Sequence, residues 1–361
     1  MNMENIKKPK SKLILKVLVS IILVSALLLT RCSKNDDNIQ EDIKNVVTNT
    51  IIDKIMCPGP DPIFINYNNN SNYKSISYPN LSWERYMYID KTDTIYSNTA
   101  ATRRLGGYLK KYGFTGVYLY STSGIVSSTP NYINFSIFLK TLNDSGIINR
   151  GITNGSSTTF QTTGNVSKYN TSQSDPNNKI NIANLELEWW NSVSTWSSWN
   201  ATNQQINYGT ILVNDFYEGW YKNLGTTVDT IAARDQVKFS DRILLHCYQN
   251  GIPTYSYANA QSAGSTGGRL DIIAKGARQA NKRIDLYIII SAENTAWGAS
   301  NTFSGPALAA ASTQPNPYQY IEQQAYNNIY GGMTTFQKQW INFKGFVWFT
   351  KRYCYIAIPP L

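Results

Sequence analysis

Glu186 and Glu188 stand two apart in the stretch NIANLELEWWN, residues 181–191. Side chains alternate along a strand, so Asn184, Glu186 and Glu188 would share one face while Leu185, Leu187 and Trp189 share the other. Two carboxyls on one strand face lie roughly 7 Å apart, and desolvation of that face pushes at least one pKa upward. A protonated carboxyl beside a charged one is what cleavage of a glycosidic bond requires. The same pair would equally serve a buried ion-pair network with Arg or Lys. The elements that carry the pair decide between these readings.

From residue 85 onward, short apolar runs alternate with helical stretches, the pattern of parallel strands joined by helical crossovers. Strands are expected at RYMYID (85–90), TGVYLYS (115–121), INRGITN (148–154), the glutamate stretch, DRILLHCYQ (241–249), RIDLYIIIS (283–291) and FKGFVWFT (343–350). Helices are expected at 99–113, with Gly113 as the stop, at 131–146, within 254–281 and within 317–342. A polar loop is expected before the fourth strand. The fifth unit is read as a helix near 203–223, bearing Tyr208, Phe216, Tyr217, Trp220 and Tyr221, followed by a strand within 226–233. Eight such units make an α/β fold of the (β/α)8 TIM-barrel kind rather than an open doubly wound sheet. In a barrel the leucine face must meet the helices. That sends Glu186 and Glu188 inward, with Glu188 nearer the C-terminal mouth where barrel enzymes keep their chemistry.

Other groups belong to the same mouth by phase. Asp90 ends the first strand and Glu293 closely follows the seventh, either as site residues or as solvated loop acids. His246 is the single histidine; it points the same way as Tyr248, as a satisfied core residue or a site group. Without a second histidine it gives no metal site. Glu188 and Glu293 also define a rival scheme, a retaining glycosidase with acid/base after strand four and nucleophile after strand seven, the carboxyls about 5 Å apart. Such enzymes place Asn before the first Glu, where this chain has Leu187.

The spacing Asn181, Asn184, Glu186, Glu188 resembles the D-x-x-D-x-D-x-E signature of glycoside hydrolase family 18, the family of chitinases and endo-β-N-acetylglucosaminidases. Glu188 falls on that family's proton donor, and Asn181, Asn184 and Glu186 replace its aspartates. LLHCYQN resembles the family's sixth strand, which implies that Tyr248 and Gln249 hold the substrate's acetamido group. GFVWFT resembles its eighth strand, which implies Trp348 as the floor of the sugar site, although Trp348 could equally be core filler. The resemblance spans residues 85 to 350 and implies hydrolysis assisted by the substrate's own N-acetyl oxygen. In that scheme Glu186, one methylene longer than the family's aspartate, orients the intermediate. The lost aspartates also leave open a barrel kept only as a glycan-binding module.

Composition sets the surroundings. Charged residues are 16% and aromatics 13% of the 361 residues, so polarity comes mainly from Asn, Ser, Thr and Tyr, as suits a sugar-facing protein. The net charge is +10, but residues 1–31 hold Lys7, Lys8, Lys10, Lys12, Lys16 and Arg31 against Glu4, so +5 of it lies in the leader. No basic run with interleaved aromatics occurs elsewhere, and no nucleic-acid partner is expected. The apolar run from Val17 to Leu29 is too short to span a bilayer comfortably and fits a signal-peptide core. LLTRCSKNDD resembles a bacterial lipoprotein box of Bacteroidota type, with Cys32 lipidated and Arg31 where a small residue usually stands. Residues 1–31 are thus read as signal peptide, 32–80 as tether and poorly ordered lead-in, and 81–361 as the barrel. The expected product is a monomeric outer-membrane lipoprotein, touching the membrane only through its lipid. Cys57, Cys247 and Cys354 show no pair spacing, so neither disulfide framework nor zinc is indicated. Cys247 is out of phase with His246 and Tyr248, hence packed against helices. No Gly-rich turn follows the first strand, and no cofactor is expected.

Overall fold

The computed structural model describes residues 83–126, 129–154, 165–186, 188–198, 213–225, 227–261, 263–293 and 303–360. All belong to the compact unit Gly59–Leu361. The leader, Cys32, Cys57, the tether and Leu187 lie outside the described residues.

Parallel strands run in sequence order as β1 (Glu84–Ile89), β2 (Gly116–Leu119), β3 (Asn149–Asn154), β4 (Ile182–Leu185), β5 (Val213–Glu218), β6 (Arg242–His246), β7 (Ile284–Ser291) and β8 (Ile341–Phe349). β8 pairs with β1, matching Tyr86 with Val347, and the sheet closes into a (β/α)8 barrel. Strands covered on both faces need near-continuous apolar runs, and IDLYIIIS of β7 is such a run, buried from Leu286 to Ser291. The principal helices are α1 (Thr99–Lys111), α2 (Tyr132–Asp144), α3 (Asn165–Ser172), α4 (Asp229–Phe239), α5 (Arg269–Gln279) and α6 (Pro317–Gly332). Local chemistry sets their starts. Asn98 accepts from the amide of Ala101 at α1, and Asn316 accepts from Gln319 at α6, with Pro317 following where no amide is missed.

Three expectations are corrected. Residues 213–218 form β5, not part of a helix, and 229–233 are the first residues of α4 rather than a strand; positions 203–212 and 226 lie outside the described residues. β4 ends at Leu185, so the glutamates follow the strand instead of lying within it. The loop expected before β4 contains α3, whose Asn170 is buried and exchanges hydrogen bonds with the backbone of Ile180.

The barrel interior is polar and aromatic. At its lower end Arg242 donates to both carboxylate oxygens of Asp215 and to the hydroxyls of Tyr86 and Tyr118, and its guanidinium lies 5.2 Å from the Tyr86 ring centre. A Cβ on Gly116 would fall 2.2 Å from the Tyr86 ring, so only glycine leaves room for the tyrosine here. Outside the sheet, Glu322 of α6 accepts from Arg85 and from the indoles of Trp83 and Trp348. Arg85 and Glu322 are fully buried. That carboxylate is therefore saturated by donors, as a buried charge must be.

Candidate functional site

The C-terminal mouth gathers residues from most of the strands. Below the opening, Asn184 at the end of β4 donates to Tyr88 Oη at 2.9 Å and to Thr153 Oγ1 at 3.2 Å, while its Oδ1 is buried without a partner. Above it Glu186 takes a hydrogen bond from Tyr120 Oη, and Tyr217 of β5 also hydrogen-bonds the same carboxyl. Glu186 is half-buried. Desolvation raises its pKa from 4.5 to about 7; the two tyrosines pull it down, and the charge of Glu188 adds a smaller upward push.

Glu188 stands differently. The chain leaves the sheet after Leu185, and Glu188 precedes the 3-10 turn Trp189–Asn191 as an exposed residue accepting from Asn191 Nδ2 at 2.7 Å. It belongs to the rim, not to the barrel interior. The inward alternation thus holds for Asn184 and Glu186 and ends there.

Tyr248 stacks on His246 with ring centres 4.4 Å apart and planes 11° apart, and meets Phe349 at 5.7 Å. Tyr217 stands edge-on to His246 at 4.0 Å. Burial holds the imidazole pKa well below 6.5, aided by Arg269, so His246 is neutral. Its Nε2 is buried without a partner, which contradicts the reading of a satisfied core histidine. Burial also raises the hydroxyl pKa values of Tyr88, Tyr120, Tyr217 and Tyr248, keeping them neutral hydrogen-bonding groups. Glu293 is buried, accepts from Ser291 Oγ at 2.9 Å, and has its pKa raised by burial. Its charge acts on Tyr248, as do those of Glu186 and Glu188.

The remaining expected residues divide. Asp90 is half-buried at the end of β1 with Oδ1 unpartnered, at the mouth as expected. Gln249 turns its carbonyl to the amide and hydroxyl of Thr254, bracing the loop after β6. Asn181 lies at the opposite end of β4, tied to the backbones of Arg150 and Ile148, away from the mouth. Trp348 is a correction: it is fully buried in the helix layer, bonded to Glu322 and edge-on to Tyr318 at 4.9 Å, so it floors no sugar site. Its neighbour Phe349 occupies the interior position, 5.4 Å from Tyr88 and 6.3 Å from Tyr120. Cys247 is buried on the helix side beside Arg269, as its phase requires.

Tyr88, Tyr120 and Phe349 are not singled out from sequence, and Tyr217 is expected on a helix, whereas it lies on β5. A signal existed for two of them. Tyr86/Tyr88 and Tyr118/Tyr120 are tyrosines spaced by two on strands whose intervening residues are apolar, so they share one face.

Among the described residues no group of three His, Cys, Asp or Glu side chains is arranged to hold a metal ion, and no helix is long and apolar enough to cross a membrane.

No protein-family model matches the chain, and no curated protein matches it. Solved structures align over the barrel. A GH18 chitinase from Pseudoalteromonas aurantia aligns at 9% identity with a TM-score of 0.38, covering 73% of this chain and 93% of that one. A chitinase from Chromobacterium violaceum aligns at 10% identity and 0.34, covering 76% and 98%. A xylanase and alpha-amylase inhibitor protein from Scadoxus multiflorus aligns at 12% identity and 0.32, covering 70% and 100%. The fold assignment rests on the strand order of this chain itself.

The two most perturbed carboxyls give a stability prediction. Glu186 and Glu218 have folded pKa values of about 7 and about 8 against an ordinary 4.5. Each binds its proton more tightly when folded. The resulting stabilisation is complete below about pH 4.5 and is lost as pH rises through the folded values. Stability should fall between pH 5 and pH 8.5, and Glu186→Gln with Glu218→Gln should flatten that fall by several kcal/mol, about 1.4 kcal/mol for each unit by which folding raises the two pKa values. Calorimetry across that range checks it; equal slopes in both proteins would contradict it.

Proposed function

We propose that this barrel is a glycoside hydrolase acting on β-linked N-acetylglucosamine-containing glycans, with Glu186 as the group that carries the proton. The observation that carries the reading is a desolvated carboxyl with a pKa of about 7 in a mouth walled by tyrosine, histidine and phenylalanine side chains. A general acid works best with a pKa near the operating pH, and aromatic walls suit the apolar faces of sugar rings. The sequence resemblance to glycoside hydrolase family 18 supplies the substrate class. Within this reading Tyr248 hydrogen-bonds the reacting sugar, Asn184 and Asp90 offer free acceptor oxygens, and Glu188 meets the glycan at the rim. Gln249 takes part through the amide nitrogen left over from its contact with Thr254.

Incubating the purified chain with chitooligosaccharides and high-mannose N-glycans, followed by mass spectrometry, tests this directly. Cleavage products are expected. Binding without products would instead favour a glycan-binding module, a reading that the outlying position of Glu188 supports. A covalent sugar adduct on Glu293 would favour the retaining scheme.

The chain is further proposed to act as a monomer on the outer cell envelope, held by lipid on Cys32, with no nucleic-acid partner. Lipid chains on one cysteine account for such an anchor. Cys32→Ala is expected to move the protein from the membrane fraction to the soluble fraction; retention on membranes would place the anchor elsewhere.

A further inference from the structure

Glu186 and Glu188 both follow the end of β4 at Leu185, and something beyond the sheet must hold them. The turn that follows, Trp189–Asn191, is pinned from behind the barrel wall. Trp189 is fully buried and its indole nitrogen donates to Glu218 Oε2 at 2.8 Å. Glu218 is the last residue of β5, points away from the barrel interior, and is fully buried. Gln236 of α4 donates to the same oxygen at 3.0 Å and is itself fixed by Tyr221 Oη. The other carboxyl oxygen of Glu218 is buried without a partner. A buried glutamate whose bonds all run through one oxygen is a costly way to fill space, since an apolar residue would avoid the bare atom.

The next residue completes the socket. Trp190 packs so closely on Gly219 that a Cβ there would fall 2.5 Å from its ring. The same ring stacks on Tyr217 at 6.2 Å, and Tyr217 contacts Glu186. Arg269 of α5 locks the backbone of this corner, donating to the carbonyls of Gly219 at 2.6 Å and His246 at 2.7 Å. One end of β5 therefore grips both tryptophans that follow Glu188.

We propose that Glu218 is the positioning residue of the site, holding the Trp189–Asn191 turn and with it the placement of Glu186 and Glu188. This rests on the reading of Glu186 as the proton-carrying group, and Glu218 itself touches no substrate. The requirement is an acceptor at a fixed reach, not a charge. Gln at 218 supplies that acceptor, its amide occupying the place of the bare oxygen. Asp falls one methylene short, and Ala offers nothing.

Three readouts test this on the full chain: the carboxyl titration of Glu186 by NMR, hydrogen exchange at the amides of Asn191 and Ser192, and kcat and KM on chitooligosaccharides. In Glu218→Ala and in Trp189→Phe, Glu186 should titrate nearer its ordinary value. The two amides should exchange roughly tenfold faster, and kcat should fall roughly tenfold, the size of one lost buried hydrogen bond. Glu218→Gln should restore all three and Glu218→Asp should not. A role confined to packing would lower the melting temperature while leaving the Glu186 titration unmoved, and that result overturns the proposal. If Glu218→Ala does not fold, Trp189→Phe and Glu218→Asp carry the same test. If the wild-type chain neither binds nor cleaves any glycan, the proposed function fails, and titration and exchange still decide the role of Glu218.

Discussion

Replacing Glu186 by Gln should, on the proposed hydrolase reading, lower glycan turnover by roughly 10²-fold or more while glycan affinity changes little. The amide keeps an acceptor oxygen for Tyr120, so that part of the mouth wall stays in place. It removes the proton. With a carboxyl titrating at about 7, the wild-type rate should hold below neutrality and fall above it as the acid form is depleted. Replacing Glu188 by Gln, on the exposed rim, should cost far less, about threefold. The reverse ranking would transfer the acid role to Glu188, the position that the family resemblance implies. Replacing Glu186 by Asp distinguishes a decayed site from an adapted one. Because Tyr120 and Tyr217 reach the longer side chain, the shortened carboxyl should lose them and turnover should drop roughly tenfold; a rise would mark a site that has drifted from an aspartate ancestor. Rates measured by mass spectrometry from pH 5 to pH 8.5 read all three variants.

The legible parts of the fold were those governed by local pattern. β6 and β7 are apolar runs bounded by polar residues, and α1 and α6 carry their own caps, so each could be placed without knowledge of its neighbours. β5 could not. VNDFYE places Asp215 and Glu218 in a strand, and the aromatics at 216, 217, 220 and 221 mimic helical spacing. What makes Asp215 tolerable is Arg242, and what makes Glu218 tolerable is Trp189 and Gln236, partners that become visible only once the barrel closes. The exchange of Trp348 for Phe349 has another cause. β8 pairs Leu286 with Phe343 but Tyr287 with Gly345, so Lys344 is an extra residue in the ladder. A bulge of this kind alters the local path of a strand, and a one-residue shift of phase exchanges its faces. At the site, Asn184 and Glu186 follow the alternation read from sequence, whereas Glu188 does not, because four residues of β4 give way to a turn.

Replacing Arg242 by Met should be the most destabilising single change at the lower end of the barrel, on the order of 3–5 kcal/mol or about 10 °C in melting temperature. Buried ion pairs add little net stability when whole, yet removal of one partner strands the other charge. Here the stranded group is Asp215, buried inside the barrel with Tyr118 Oη as its remaining donor. The same loss takes a donor from the hydroxyls of Tyr86 and Tyr118 and removes the guanidinium from beside the Tyr86 and Tyr287 rings. Burial already pushes the Asp215 pKa upward against the opposing pull of Arg242. Without the arginine it rises further, so the folded variant takes up a proton that the unfolded chain holds less tightly. The penalty should therefore be largest near pH 8 and shrink as pH falls below the ordinary aspartate value of 3.8, where Asp215 becomes neutral in both states. Adding Asp215→Asn to Arg242→Met should recover part of the loss at pH 8 and little at about pH 3, because the neutral amide no longer needs a counter-charge. Denaturant unfolding of the single and double variants at the two pH values measures this. A penalty independent of pH would mean that the arginine acts through packing against the tyrosine rings rather than through its charge.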